Sequence, residues 1–497
     1  LFTNYSNPRN PNLEEMKLGR FTREQFDCFF NPESVAIIGA SDQYGKWGNR
    51  IMQRVLTTTS SREVYTVNRD TTAVKNRKSY ASVLDIPGPV DLGVIAIPVQ
   101  ATLEVVIECL KKEVKALAIV TAGFSEHGEE GTKIQQELQR LTDKANIPVL
   151  GPNCLGYLNT FSDLTVCLLK PERKGPVSVI SHSGNVGGNI VTGGVAAGIG
   201  FSKFISTGNE VNLRLEDFLE YLADDDDTEI IVAYMEGLRE GRRFYELAKR
   251  IAERKPIVAL KSGYTDAGAR AVNSHTANLA GDRQIYSAAF KQAGVIETHS
   301  IEEVIDTVGA LLRLPLPRGN KVTILSQGGG PGVLATDACS QQGLDVAPLS
   351  PGTTKKLDSL LPAIWPRTNP VDTIFSTTQT VPCLLTLMGD PDIDIVLALS
   401  VPTSKMAIGD KMAPQVVSWL DAQEKHESDG MGKVIELMDI HQKPVILCDS
   451  PSFRPRTQFY HKLQEEQMPT FPSINRAVKA ISNLVWYGKY LSQVNTE

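Results

Sequence analysis

Two short segments set a histidine among hydroxyl and small residues, SHSGNVGG at 181–188 and SHTANLAG at 274–281. An imidazole in such a setting suits phosphoryl transfer. It is nucleophilic near neutral pH, a carboxylate can fix its tautomer, and nearby N–H groups can bind the phosphoryl oxygens. His182 directly follows the strand run PVSVIS, and Ser183, Gly184 and Asn185 open a helical stretch, which reads as an anion seat. His275 follows KSGYTDAGARAVN, a run rich in Gly and small residues that can bring the ring to a site shared between domains. Glu236, at the end of EIIVAYM, is a candidate orienting carboxylate, and the turn STGNE at 206–210 offers further donors around Gly208 and Asn209.

A third feature is GASDQYGKWGN at 39–49, set between an apolar run and a helical one. Helix N-termini present unpaired N–H groups and partial positive charge, and glycine lets a ligand approach the backbone, so phosphate binding is expected there. A dinucleotide fingerprint would place glycines at 39, 41 and 44, but the sequence has Ser41 and Tyr44. The next apolar run ends in Asn68-Arg69, where a nicotinamide enzyme places an acidic group for the ribose. Arginine suits a phosphorylated ribose or a pyrophosphate instead. CoA carries both, so CoA is expected over NAD.

The elements that must position these residues follow one theme, an apolar run and then an amphipathic helix. Strands are expected at 34–39, 63–67, 91–98, 116–121, 148–151, 176–181, 229–235, 256–261, 321–326, 394–400 and 444–448. Their near-continuous Val, Ile and Leu content predicts burial on both faces, hence parallel sheets covered by helices. A chain of 497 residues exceeds a single core, and three α/β domains are read. The expected divisions are an N-terminal arm at 1–28 and domains at 29–160, 170–315 and 318–497, with the polar segment 424–432 as a loop insertion.

Composition narrows the class. Hydrophobic residues at 41% and charged residues at 22% describe a globular protein. The 51 Lys and Arg against 57 Asp and Glu, with no basic block, exclude an extended nucleic-acid footprint. Seven scattered cysteines show no metal-ligand spacing, and no metal is expected on this chain. With no 18-residue apolar stretch and no signal-peptide core, no membrane association and a cytoplasmic location are expected.

In order and spacing, a set of strings after about residue 29 resembles the alpha subunits of ADP-forming acyl-CoA synthetases (acetate–CoA ligase, ADP-forming). They are FFNPESVAIIGAS with GKWGN, YASVLDIPGPVDLGVIAIP, TAGF, GPNCLG, SHSG, STGN, YMEGL, KSGYTDAGARAVNSHTANLAG and AAFKQAGVI. The alpha subunit of succinyl-CoA synthetase is similar more distantly. The resemblance implies a Rossmann-like CoA-binding domain followed by two flavodoxin-like domains, the last concerned with assembly. It selects His275 as the phosphorylated residue, positioned by Glu236, with Ser183, Gly184 and Asn185 holding phosphate. It carries CoA onto Gly39, Ala40, Ser41, Lys46 and Gly48, with Asn68, Arg69 and Pro98 beside them.

The family shows Gln at 182, Gly at 277 and a small residue at 278, where this chain has His182, Ala277 and Asn278. The implied reaction interconverts acyl-CoA, ADP and phosphate with a small carboxylic acid, CoA and ATP. No segment resembles an ATP-grasp module, so a separate beta subunit holding ATP or ADP and Mg²⁺ is implied, in an α2β2 assembly. The rival expectations are a CoA or acyl-CoA sensor without turnover and a nicotinamide oxidoreductase.

Overall fold

The computed structural model describes residues 17–57, 62–169, 173–275, 282–374, 379–399, 414–448, 463 and 465–494. The chain divides into two compact units, Phe2–Val304 and Ile305–Glu497.

The first unit holds two seven-stranded sheets. In one, the strands run in the order Arg77–Tyr80, Glu63–Val67, Ser34–Ile38, Leu92–Ile95, Ala116–Ile119 and Val149–Leu150, all parallel, with Ala73–Val74 antiparallel on the edge. Counted along the chain, the six parallel strands give the 3-2-1-4-5-6 order of a dinucleotide-type Rossmann sheet. The strand Ser34–Ile38 is buried throughout, and its residues alternate between two cores. Val35 and Ile37 face one, while Ala36 and Ile38 face the other.

The other sheet has five parallel strands in the order Phe201–Ser206, Lys174–Ser181, Ile230–Met235, Ile257–Lys261 and Val295–Thr298. This is the flavodoxin-like 2-1-3-4-5 order. Tyr157–Asn159 and Leu164–Val166 extend it as an antiparallel pair. That pair occupies part of the stretch expected to be a domain boundary. Its strands are too short to show a period in the sequence, and pairing through Tyr157–Asn159 with Phe201–Ser206 supplies the order.

The two sheets share a core, and the segment read as an arm closes it. Thr22 and Gln25 form a reciprocal capping box at the start of the helix Arg23–Phe30. Phe26 and Phe30 stack on Tyr221 at 5.4 and 4.9 Å, and Phe30 meets Tyr157 edge-on at 5.7 Å. The Tyr157 hydroxyl donates to the Phe29 carbonyl at 2.6 Å. An arm reaching residue 28 is therefore corrected, because Phe21 and Phe26 within it are fully buried.

Beside this wedge lies a buried ion pair. Lys203 Nζ sits 2.7–2.8 Å from both carboxylate oxygens of Asp225 and 6.0 Å from the centre of the Phe30 ring. Lys203→Ala leaves that carboxylate buried without its counter-charge, and the expected cost is roughly 3–5 kcal/mol. Urea unfolding checks this. A loss under about 1 kcal/mol, the scale of an exposed pair, would show that the carboxylate finds another partner.

Among the described residues, the second unit has one parallel sheet, in the order Val371–Asp372, Val322–Ser326, Ile395–Leu399, Val445–Cys448 and Thr470–Phe471, again 2-1-3-4-5. The fold has the three doubly wound sheets expected, although the division falls at 304/305 and not between 315 and 318. The segment 424–432 is not a loop, since it lies within the helix Pro414–His441. Gly430 keeps the backbone clear of Val381 on the helix Thr380–Met388. Among the described residues, no helix is long and apolar enough to cross a membrane.

Candidate active site

In a doubly wound sheet, ligands bind beyond the carboxyl ends of the strands where the strand order reverses. The reversals of the first two sheets lie at Ser34–Ile38 and Lys174–Ser181. The turns that follow these strands line one cleft of about 740 Å³. Its walls include Gly39, Ser41, Lys46, Trp47, Asn68 and Pro98 from the first sheet, and His182, Ser183, Gly184, Asn185, Gly208 and Asn209 from the second.

Three helices begin at the cleft. Lys46 and Pro98 are the N-caps of Trp47–Leu56 and Val99–Lys111, and neither gives a side-chain cap. Ser183 caps Gly184–Ala196 through a single bond from the Val186 amide to its hydroxyl, at 3.4 Å. The leading N–H groups of these helices face the cleft with the positive ends of their dipoles, which suits phosphate groups.

The first turn is built by close backbone packing. A Cβ on Gly48 would fall onto the Gly39 carbonyl, and Gly39 itself has φ +89° against the Ala96 carbonyl. Asn49 Nδ2 donates to the Ser41 carbonyl at 2.9 Å, and Asn68 Nδ2 to that of Ala40 at 2.7 Å, which fixes the turn against the second strand.

Not every expected ligand residue reaches the cleft. Ala40 and Gly48 are buried beneath the turn. Arg69 points to the helix Val99–Lys111, pairing with Glu104 at 3.0 Å and Glu108 at 3.6 Å. Asn209 lines the cleft, but its amide donates to Glu126 at 2.6 Å and Gln135 at 2.9 Å, and it accepts from Asn153 at 3.2 Å. It ties GPNCLG, through Asn153, to TAGF, through Glu126, which accepts from the Gly123 and Phe124 N–H groups. Thr121, Asn153 and Leu155, in those same strings, line the cleft without having been singled out. The signal available for them was Asn153 itself, set between Gly151 and Gly156, since asparagine tolerates the left-handed backbone that it adopts here.

Behind the cleft lies a buried polar cluster. Glu236 follows the strand Ile230–Met235, is 6% exposed, and accepts from the Tyr234 hydroxyl at 3.4 Å through Oε1. Its Oε2 is buried with no hydrogen-bond partner among the described residues. A carboxylate oxygen in that state is costly unless a donor arrives. Next to it, burial pushes Lys261 down to about 8, against the opposing pull of Glu236. Lys261 Nζ rests 4.7 Å from the Tyr286 ring centre and 5.4 Å from that of Tyr264.

His182 joins this cluster. Its Nδ1 accepts from the Glu236 backbone N–H at 3.1 Å, and its Nε2 lies 3.1 Å from Glu210 Oε1. That second contact is an ion-pair distance, with the ring N–H not well aimed at the oxygen. His275 ends the helix Asp266–His275, and its side chain, with Ala277 and Asn278, lies outside the described residues.

Against known proteins, a family model described as CoA binding domain matches residues 33–160, and one described as succinyl-CoA ligase like flavodoxin domain matches residues 174–311. The acetate–CoA ligase [ADP-forming] II subunit alpha of Pyrococcus furiosus is 42% identical over 380 residues, which cover 76% of this chain and 82% of that protein. The chain belongs to the ADP-forming acyl-CoA ligase family. Another family member, acetate–CoA ligase [ADP-forming] I of Archaeoglobus fulgidus, is 42% identical over 381 residues, and the match spans 55% of its length. The dinucleotide forming acetyl-coenzyme A synthetase 1 of Ca. Korarchaeum cryptofilum, solved with phosphate and ADP, superposes with a TM-score of 0.81 at 30% identity. That match covers 95% of this chain and 98% of the other.

Proposed function

We propose that this chain is the histidine-bearing part of an ADP-forming acyl-CoA synthetase, interconverting acyl-CoA, ADP and phosphate with a carboxylate, CoA and ATP. The observation that carries the reading is the buried oxygen of Glu236, without a hydrogen-bond partner among the described residues and placed behind a cleft onto which three helix N-termini open. CoA phosphates fit the turn at 39–49 and the start of Val99–Lys111, and inorganic phosphate fits Ser183, Gly184 and Asn185. Phosphate attacks the thioester carbonyl, the thiolate of CoA leaves, and an acyl phosphate results. His275 then takes the phosphoryl group, which releases the carboxylate, and passes it to ADP. Glu236 Oε2 accepts the N–H of the docked His275 ring, so that the other nitrogen keeps its lone pair for the phosphorus.

A partner of the ATP-grasp type, holding the nucleotide and Mg²⁺ in an α2β2 assembly, completes the site. This is supported by the Pyrococcus relative, which is named a subunit alpha, and by the Archaeoglobus relative, which bears no subunit label and extends well beyond the match. Cys28, Cys109, Cys154, Cys167, Cys339 and Cys383 are free thiols, in keeping with a reducing compartment, and we place the chain in the cytoplasm.

With that partner and Mg²⁺, acyl-CoA, ADP and phosphate should yield one ATP per carboxylate released, and a folded pair that forms no ATP would sink the reading. Gly48→Val, which pries the first helix off its strand turn, should weaken CoA at least about tenfold, or about 1.4 kcal/mol. Isothermal titration checks this, and affinity should also fall with added salt. A folded variant that binds CoA like the parent would move the ligand elsewhere.

A further inference from the structure

We infer that His182 is a positioning residue for Glu236: its neutral ring clamps the Glu236 backbone, and protonation of Nδ1 opens the clamp and slows phosphoryl transfer. The inference rests on the proposed role of Glu236. The ring stands at the end of the strand Lys174–Ser181, between the turns that follow the two flanking strands. On one side Nδ1 accepts from the Glu236 N–H, and on the other Nε2 meets Glu210. The His182 side chain is 2% exposed and that of Glu210 is 3% exposed, so neither contact is shared with bulk water.

The tautomer follows from the partners. An amide N–H needs a lone pair on Nδ1, which places the ring proton on Nε2, toward the Glu210 carboxylate. Glu210 is itself fixed, accepting from the Leu215 N–H at 2.9 Å with a left-handed backbone at φ +55°. A proton added to Nδ1 points at the Glu236 N–H, so the two repel and the amide loses its partner. The carboxylate hangs from that same residue. A displacement of about 1 Å at a reacting group costs on the order of 10²-fold in rate.

The charged groups around the ring set the pH at which this happens. Burial opposes the cation, but the Glu210, Glu236 and Glu216 carboxylates hold the His182 imidazole above its ordinary value, with the bond from the Glu236 N–H to Nδ1 pulling the other way. Behind them, Arg239 bears on Glu210 and Lys261 on Glu236. The sign is that of a base with a raised pKa. Acidification protonates the ring and the clamp opens, so the rate falls on the acid side of the profile.

The test measures single-turnover phosphorylation of the chain, with its partner subunit and labelled ATP, from about pH 6 to about pH 9. The parent should lose rate up to tenfold per pH unit on the acid side. His182→Ala should be slower by about 10- to 100-fold even at high pH, while CoA binding shows that it is folded. Gln offers an oxygen to the Glu236 N–H and an N–H to Glu210 without titrating. His182→Gln should therefore recover most of the rate lost in the Ala variant and change the acid limb, leaving only the part that comes from protonation of the His275 nucleophile. Nitrogen-15 spectra of histidine-labelled protein should show His182, identified by its absence in the Gln variant, protonated on Nε2 alone at high pH. An acid limb unchanged in His182→Gln, or a ring protonated on Nδ1 across the range, overturns the inference. If Glu236→Gln also transfers at the parent's rate, the fault lies in the role given to Glu236.

Discussion

His275→Ala should abolish phosphorylation of the chain and lower the synthetase rate by roughly 10³-fold or more, as removal of a nucleophile does. The label on the parent, formed with the partner subunit, Mg²⁺ and γ-labelled ATP, should be acid-labile and base-stable. A phosphoramidate behaves so and a phosphoserine does not, which separates the histidine from Ser181, Ser183 and Ser274. CoA binding should survive, because the turn at 39–49 belongs to a different sheet. The rival nucleophile is His182, and the structure gives a reason against it. Both of its ring nitrogens face protein groups, the Glu236 amide and the Glu210 carboxylate. A label that survives in His275→Ala and vanishes in His182→Gln would make the helix-start histidine the carrier.

Glu236→Gln should slow phosphoryl transfer by about 10²- to 10³-fold, the loss seen when one preorganised electrostatic partner is removed. Glu236 Oε2 lacks a partner among the described residues, so an amide at that position breaks no bond to Oε2, and thermal stability should change little. The rate falls because a neutral amide cannot balance the charge that builds on the imidazole as the phosphoryl group moves. Single-turnover labelling is the measurement. An unchanged rate would leave Glu236 a structural part, serving only the Tyr234 hydroxyl.

The parallel strands were legible because burial on both faces writes them as unbroken apolar runs, as in SVAII at 34–38 and IVALK at 257–261. The helix Arg23–Phe30 was not, since it is short and its one clear mark is the Thr22–Gln25 capping box. For the site, strand-end glycines and the Ser183 helix start located the two turns, but not that both belong to one cleft. Arg69 shows the limit in the other direction. Its charge suited a phosphate, yet Glu104 and Glu108, a helix away in sequence, claim it. The setting of His182 was likewise out of reach, because Glu210 and Glu236 flank it only once the sheet order 2-1-3 is known.

The helix Arg23–Phe30 precedes both family matches, at 33–160 and 174–311, yet it completes the core beneath the two sheets they describe. The stretches that evolution copies as modules are thus not the pieces in which this protein condenses. Any lineage that reorders these modules, or parts them onto separate chains, must carry the aromatic wedge along or replace what Phe26 and Phe30 give Tyr157 and Tyr221.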